Sequence, residues 1–461
     1  MDLKPQYHWA ERQKKVWENL TKGMSEKLNI EVPLIQFYAS QNKELREQLE
    51  LYEILTKEQI FLIEKMMSVE IADMFRKLGY SNKSELIKNC NSLLYVQQCI
   101  SNPNHQHYRA SFCTDRYCPI CSHIKSSKAN DMLFKIFGSI KKDNNYKNSS
   151  LIFMTLTQRN VGVGELNAEL DKMAKALQTM MRRESIFNSS TEYKKDSKTG
   201  IKSTVKKTRK AVVQGTVRHL EITAKYSPER KRIEFHPHWH IVLLVKQSYF
   251  SKNNFWDKDK LIKKWRYYMG LDYDPNVDIK KIVDGAMQKE NSFEIKLKDM
   301  QPDGAIKEIC KYSTKDTDII KAYQCDDGTV KVNYKDSTTI LKELYISCKY
   351  RRDLVFTGAL KKTKERLFGK KTEDDLVKEM HEDEIIDIFK NKKCRKCGAD
   401  VTEHLKRYSL TNKNYYELEA SKLDSYKNGM NAEFKKIMLK RTKKNTDGSD
   451  QTIPSDSTKS L

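Results

Sequence analysis

The sequence predicts an α+β protein, and three observations carry that reading. Residues 150 to 360 alternate strand-like and helix-like patterns, residues 1 to about 85 hold apolar side chains at helical spacing, and a cysteine-rich stretch between 90 and 125 marks a small metal-stapled module. Lys and Arg number 86 against 62 Asp and Glu, a formal +24 over 461 residues. Such an excess favours a polyanionic partner, because Lys and Arg release the counterions condensed on phosphates. No stretch approaches the roughly 18 consecutive apolar residues of a spanning helix; the longest strong run is Ile241-Val242-Leu243-Leu244-Val245. The start MDLKPQYHWAERQKK lacks the apolar region of a signal peptide. The expectation is a cytoplasmic protein without a membrane partner, whose ten cysteines serve metal binding rather than disulfides.

Five segments follow in order. Residues 1–85, with Ile54, Ile60, Phe61, Ile63, Met66 and Met67, read as a helical N-terminal region; residues 86–145 as a zinc-binding module with a basic helix beginning at HIKSSK (123–128). Residues 146–365 form the sheet-bearing domain. Within it LIFMTLT (151–157), AVVQGTVRHLEIT (211–223) and EFHPHWHIVLLV (234–245) read as strands, and GELNAELDKMAKALQTMMRRE (164–184) as an amphipathic helix. The last two strands pair across the turn SPERK (227–231), while the polar, basic stretch 188–210 is a solvated loop or a DNA-touching arm. Residues 366–440 are expected to be a C-terminal helical region carrying a C-x2-C pair, and 441–461 have a disordered composition.

His236-Pro237-His238-Trp239-His240 is the most informative stretch. Side chains two apart on a strand share a face, so His238 and His240 project to one point and suit a divalent metal. Phe235, Trp239, Ile241 and Leu243 take the opposite, buried face. Glu221, between Leu220 and Ile222 on the neighbouring strand, reaches the same metal if the two strands form a hairpin. A His2Glu set leaves positions open for phosphate oxygens, which makes the metal a Lewis acid and template. His219 shares the face of Glu221 but has no assigned work, and a solvated strand remains the plain alternative for the whole cluster.

AIKEICKYSTKDTDII (305–320) reads as a helix after the turn QPDG, with Glu308, Tyr312 and Lys315 on one face and Ile306, Ile309 and Cys310 on another that docks on the sheet. A tyrosine hydroxyl attacks a metal-polarised phosphodiester to give a phosphotyrosine. Glu308 can then act as general base, and Lys315 can hold the phenolate or offset phosphate charge. An ordinary amphipathic helix is the alternative reading. Cys113, Cys118 and Cys121 place a C-x2-C knuckle after a third cysteine, the spacing of a structural zinc site. Cys90, Cys99, His105, His107 and His123 compete for the fourth position, and Cys394-x2-Cys397 is half of a second site or two incidental thiols.

Four ordered segments resemble the Rep_1-type replication initiators of rolling-circle plasmids, in the HUH endonuclease superfamily. They are FCTDRYCPIC (112–121), FMTLTQRNV (153–161), HPHWHIVLL (236–244) and EICKYSTKD (308–316); LYISCKYRRDLVFTGALKK (344–362) is similar as well. Cys90-Asn-Ser fits the family's upstream cysteine better than Cys99, although the family usually has Cys-Gly there. The resemblance covers roughly 85 to 365. It implies an HUH fold, an antiparallel sheet flanked by helices, with the metal motif on a central strand and residues 146–365 as the nicking and joining domain. It implies Mg2+ or Mn2+ at His238, His240 and Glu221, structural Zn2+ at Cys90, Cys113, Cys118 and Cys121, and Tyr312 as nucleophile with Glu308 beside it. The DNA partners would be a double-stranded origin and a single-stranded nick site, with host helicase and polymerase downstream. With one motif tyrosine and a glutamate beside it, termination by hydrolysis is expected. An HUH relaxase or transposase, a non-catalytic zinc-containing repressor and a small-molecule metallohydrolase are the rival readings.

Overall fold

The computed structural model describes residues 32–42, 57–102, 105–110, 112–194, 205–282, 299–300, 306, 309, 319–325, 330–370, 393–394 and 396–419. In chain order its strands are β1 (Leu93–Cys99), β2 (Gln106–Ala110), β3 (Ser149–Thr157), β4 (Val161–Gly162), β5 (Ser190–Lys194), β6 (Val205–Arg209), β7 (Val213–Ser227), β8 (Arg232–Lys246), β9 (Asp278–Ile282), β10 (Asp299–Met300), β11 (Ala322–Gln324), β12 (Val330–Val332), β13 (Leu354–Thr357), β14 (Val401–Ser409) and β15 (Asn414–Glu417). Contacts divide the chain into two units, Met1–Lys88 with Cys113–Phe389, and Asn89–Phe112 with Lys390–Leu461.

The first unit is built on a sheet of order β10-β9-β3-β8-β7-β13, antiparallel apart from the β9–β10 pair, with β4 added against β8. The expected hairpin of 211–223 and 234–245 is the long β7–β8 pair. Its register sets Glu221 opposite His238 and His219 opposite His240, while β3 sets Thr157 opposite His238 and Thr155 opposite His240. One face of this sheet is apolar at one end. There Phe153, Val217, Val242, Leu244, Ile282 and Leu354 cluster with Met132, Leu133 and Ile136 of the Pro119–Lys142 helix, Leu360 of the Gly358–Phe368 helix, and Ile306 and Ile309. On the other face Met154, Leu156, Leu220, Ile222, Ile241 and Leu243 are buried too. Burial on both faces explains why 241–245 is a continuous apolar run. Each such side chain contributes about 1.5–3 kcal/mol when buried, so a slip of one residue, which would turn the histidines to the far face, is strongly opposed.

Helices complete this unit. Leu166–Arg183, expected at 164–184, buries Leu166, Leu170, Met173, Leu177 and Met180 at helical spacing. Trp265 of the Lys258–Met269 helix donates its indole N–H to the Thr157 carbonyl at 2.7 Å, holding the end of β3 that carries the site. The N-terminal region is helical where described, at Val32–Ser40, Lys57–Lys77 and Ser81–Lys88. It is not peripheral: Phe75 lies edge-on to Tyr117 and Tyr345 at 5.8 and 5.4 Å, beside the cysteine loop. Gly358 starts its helix at φ +55, and a Cβ there would meet the Gln214 carbonyl at 2.2 Å, so β7 passes in contact with a bare backbone.

Three sequence expectations change. The 188–210 stretch, read as a loop or arm, pairs β5 with β6 where it is described. Residues 86–145 are divided at Phe112/Cys113, because the apolar stripe Met132, Leu133, Ile136 and Ile140 needs the sheet to bury it. Where a helical region is expected over 366–440, the helix ends at Phe368 and the described residues from 401 on form β14 and β15, joined by a turn with Lys413 at φ +49. Leu405, Tyr408 and Tyr415 are buried there. The second unit is an antiparallel sheet of order β15-β14-β1-β2. Among the described residues, no helix is long and apolar enough to cross a membrane.

Candidate metal centres

At the polar end of the sheet face that holds the apolar cluster, the register gathers the predicted ligands. His238 Nε2 and His240 Nε2 lie 3.1 and 2.9 Å from the same oxygen, Glu221 Oε2. Glu221 and His240 are buried and His238 is half-buried. The other ring nitrogens are tied back: His238 Nδ1 donates to the His236 carbonyl at 3.2 Å, and His240 Nδ1 meets the Thr155 hydroxyl at 3.3 Å. A carbonyl only accepts, so a neutral His238 turns the lone pair of Nε2 toward a carboxylate oxygen. Two acceptors at 3.1 Å repel unless positive charge lies between them. The donor set therefore fits a divalent cation, with the ring orientations already fixed by the outer hydrogen bonds.

His236 does not join this group. Its Nδ1 donates to Asn160 Oδ1 at 2.9 Å, and the Asn160 amide donates to Glu234 at 3.1 Å. Burial and neighbouring His238 hold its pKa below the usual histidine value. Asn160 and Glu234 were missed, although Glu234 stands two residues before His236 on the same face. His219, to which the sequence assigns no work, is buried and donates from Nδ1 to the Asp353 carbonyl at 3.0 Å; burial lowers its pKa. Tyr312, Glu308 and Lys315 lie outside the described residues. Of that segment Ile306, Ile309, Ile319 and Ile320 are described and buried, and the first two lie in the cluster with Phe153, whose ring stacks 5.5 Å from His240.

The cysteine loop of the first unit brings the ligand atoms of Cys113, Cys118 and Cys121 within 4.8 Å of one another. Cys113 Sγ is 3.6 Å from Cys121 Sγ, and the backbone N–H groups of Thr114 and Asp115 point at Cys121 and Cys113 sulfurs at 3.2 and 3.5 Å. Arg116 anchors the loop by pairing with Asp353 and donating to the Arg351 carbonyl at 2.8 Å. Burial opposes its charge most, but Asp353 together with the neighbouring Tyr117 and Cys348 more than offsets it and holds its pKa above the usual arginine value. His123, a possible fourth ligand, is instead paired with Glu64, whose contact raises the histidine's pKa.

In the second unit Cys99, His105, Cys394 and Cys397 also converge, their ligand atoms within 4.8 Å of one another. Cys99, the alternative fourth ligand of the first cluster, is thereby engaged elsewhere, while Cys90 is buried. Burial acts to raise the Cys394 thiol, but backbone N–H groups of Lys396 and Cys397 outweigh it and bring it to about 6.

A family model described as a replication protein, Rep_1, matches residues 104–200 and 191–396. A protein named Protein rep from Bacillus amyloliquefaciens is 29% identical over 313 residues, 67% of this chain and 80% of that protein. One from Streptococcus pneumoniae serotype 2 is 26% identical over 307 residues, 66% of this chain and 78% of its own length. A replication protein of Staphylococcus aureus is 29% identical over 238 residues, 51% and 81% of the two chains. No solved structure matches.

Proposed function

The chain belongs to the Rep_1 family of replication proteins, and from that premise we propose that it initiates rolling-circle replication of a plasmid as an HUH-type enzyme that nicks one origin strand with a tyrosine. The single observation that carries this reading is the convergence of His238, His240 and Glu221 with both outer ring nitrogens tied back. Three protein ligands leave positions for phosphate oxygens. Mg2+ or Mn2+ bound there supplies Lewis-acid polarisation of the scissile phosphate.

The chain's own residues do the rest. Tyr312 Oη forms a bond to phosphorus as the bond from phosphorus to the 3′-oxygen breaks, giving a 5′-phosphotyrosine and a 3′-hydroxyl for the host polymerase. Lys315 offsets charge on the phenolate and phosphate, and Glu308 takes the proton of the water that ends the reaction. The burial of Ile309 in the cluster beside His240 supports this assignment. The resemblance of the cysteine motif implies structural Zn2+ on Cys113, Cys118 and Cys121, with Cys90 as the family's upstream cysteine. The partners are a double-stranded origin, its single-stranded nick site and the host helicase; the +24 charge supports the DNA contacts.

The test is a denaturing gel after incubation with Mn2+ and single-stranded origin oligonucleotides. A covalent protein–DNA adduct is expected with the wild type and none with Tyr312→Phe. Binding without any adduct or cleavage in the wild type would instead make the protein a DNA-binding repressor.

A further inference from the structure

We propose that Cys99, His105, Cys394 and Cys397 bind a second zinc ion, which closes the chain's second unit by joining its two distant segments. All four ligand atoms lie within 4.8 Å of one another, and two of the donor–donor edges have the length a tetrahedron requires. Cys99 Sγ lies 3.5 Å from Cys397 Sγ, and Cys394 Sγ lies 3.7 Å from His105 Nδ1. With Zn–S bonds of about 2.3 Å and Zn–N of about 2.0 Å, tetrahedral edges fall near 3.5–3.8 Å. The cysteines are unbridged, and S–H groups are too weak as donors to organise three thiols and an imidazole on their own.

Local structure presents each ligand. Cys99 and His105 face each other across the mouth of the β1–β2 hairpin, Cys99 N–H donating to the His105 carbonyl at 3.1 Å. His105 turns Nδ1 to Cys394, and its Nε2 lies 3.4 Å from the Asn102 side-chain amide. Cys394-x2-Cys397-Gly398 forms a tight knuckle: Gly398 N–H donates to the Cys394 carbonyl at 2.8 Å, with Gly398 at φ +76. Beside it Ile100 N–H donates to the Asp400 carbonyl at 3.0 Å, and Cys99 pairs with Val401, which brings the knuckle to the hairpin.

Three thiolates and one imidazole select zinc, and four protein ligands leave no open position, so the site is structural. The unit has reason to need it. Its described part is about 50 residues in a four-stranded sheet with few buried side chains, a size at which a core alone is marginal. Cys99 and Cys397 are 298 residues apart, so the ion ties segments that the chain itself does not hold together. Both residues lie outside the stretch matched by the family model, 104–396.

The experiment is thiol mapping on the full chain, purified without chelator, by N-ethylmaleimide labelling and peptide mass analysis before and after chelation. Cys397 is exposed, so a free thiol there would label at once. The expected result is protection of Cys394 and Cys397, with labelling at least roughly tenfold faster after chelation, because the metal-held thiolate is not free to attack. Metal analysis should show one zinc fewer in Cys394→Ser/Cys397→Ser than in the wild type, and His105→Cys should keep the full zinc content. Rapid labelling of Cys397 without chelator, or unchanged zinc in the double variant, would overturn the proposal. Since the labelled peptides are resolved one by one, loss of the Cys113 cluster would not mimic either result.

Discussion

Two ligand sets in this chain make an instructive contrast. Glu221, His238 and His240 sit on paired strands, 17 and 19 residues apart, and their donors lean on outer hydrogen bonds from Thr155 and the His236 carbonyl. Cys99, His105, Cys394 and Cys397 come from a hairpin mouth and a knuckle, separated by almost 300 residues. The first mixes imidazole and carboxylate and keeps coordination positions open, which suits turnover on a phosphate. The second is thiol-rich and complete, which suits a structural ion. The softness of the donors and their number separate chemistry from scaffolding.

The sharpest way to break this contrast is His240→Ala. Nicking of a single-stranded origin oligonucleotide in Mn2+ should fall by about 10³-fold, while DNA binding, carried by phosphate contacts, stays near the wild-type value. Retention of nicking would place the chemistry elsewhere. Next in size is Ile309→Ala. Ile309 is fully buried, and truncation should cost about 2–5 kcal/mol in denaturant unfolding. A loss below about 0.5 kcal/mol would mean that this residue does not anchor its segment to the sheet.

The contrast also explains what the sequence makes legible. Period-two alternation is local, so the residues alone put His238 and His240 on one strand face and Glu221 within reach on the neighbouring strand. The same logic places the β7–β8 hairpin and the Leu166–Arg183 helix. The second site is hidden because its halves meet only through the β1–β14 pairing. C-x2-C alone shows half a site, and nothing near residue 394 points to Cys99 or His105. The C-terminal strands escape for a related reason: the buried positions Leu405 and Tyr408 do not alternate, so the strand shows itself only through its pairing with β1. Asn160 and Glu234 stay invisible because a hydrogen-bond relay has no spacing rule.

Thr155→Val sharpens the comparison at the outer hydrogen bonds. Losing the contact to His240 Nδ1 should raise the Mn2+ concentration for half-maximal nicking by about 10–100-fold, with the rate at saturating Mn2+ unchanged. A lowered rate at saturation would show that Thr155 does more than orient the ring.

The smallest effect is expected at the strand's entry, where Glu234 holds Asn160 and, through it, His236. The Asn160 amide first, then Arg232 and Arg230, hold the Glu234 carboxyl below the usual carboxylate range against the burial that would raise it. A folded pKa below the unfolded value of about 4.5 means that the fold binds fewer protons than the unfolded chain. The stabilisation from Glu234 is therefore fully present above about pH 4.5 and is lost as pH falls through the depressed folded value. Glu234→Gln should melt below the wild type at pH 7, and the two melting curves should converge as the solution is acidified. Parallel curves from about pH 7 to about pH 3 would mean that Glu234 has no depressed pKa, and that the relay positions His236 by shape rather than by charge.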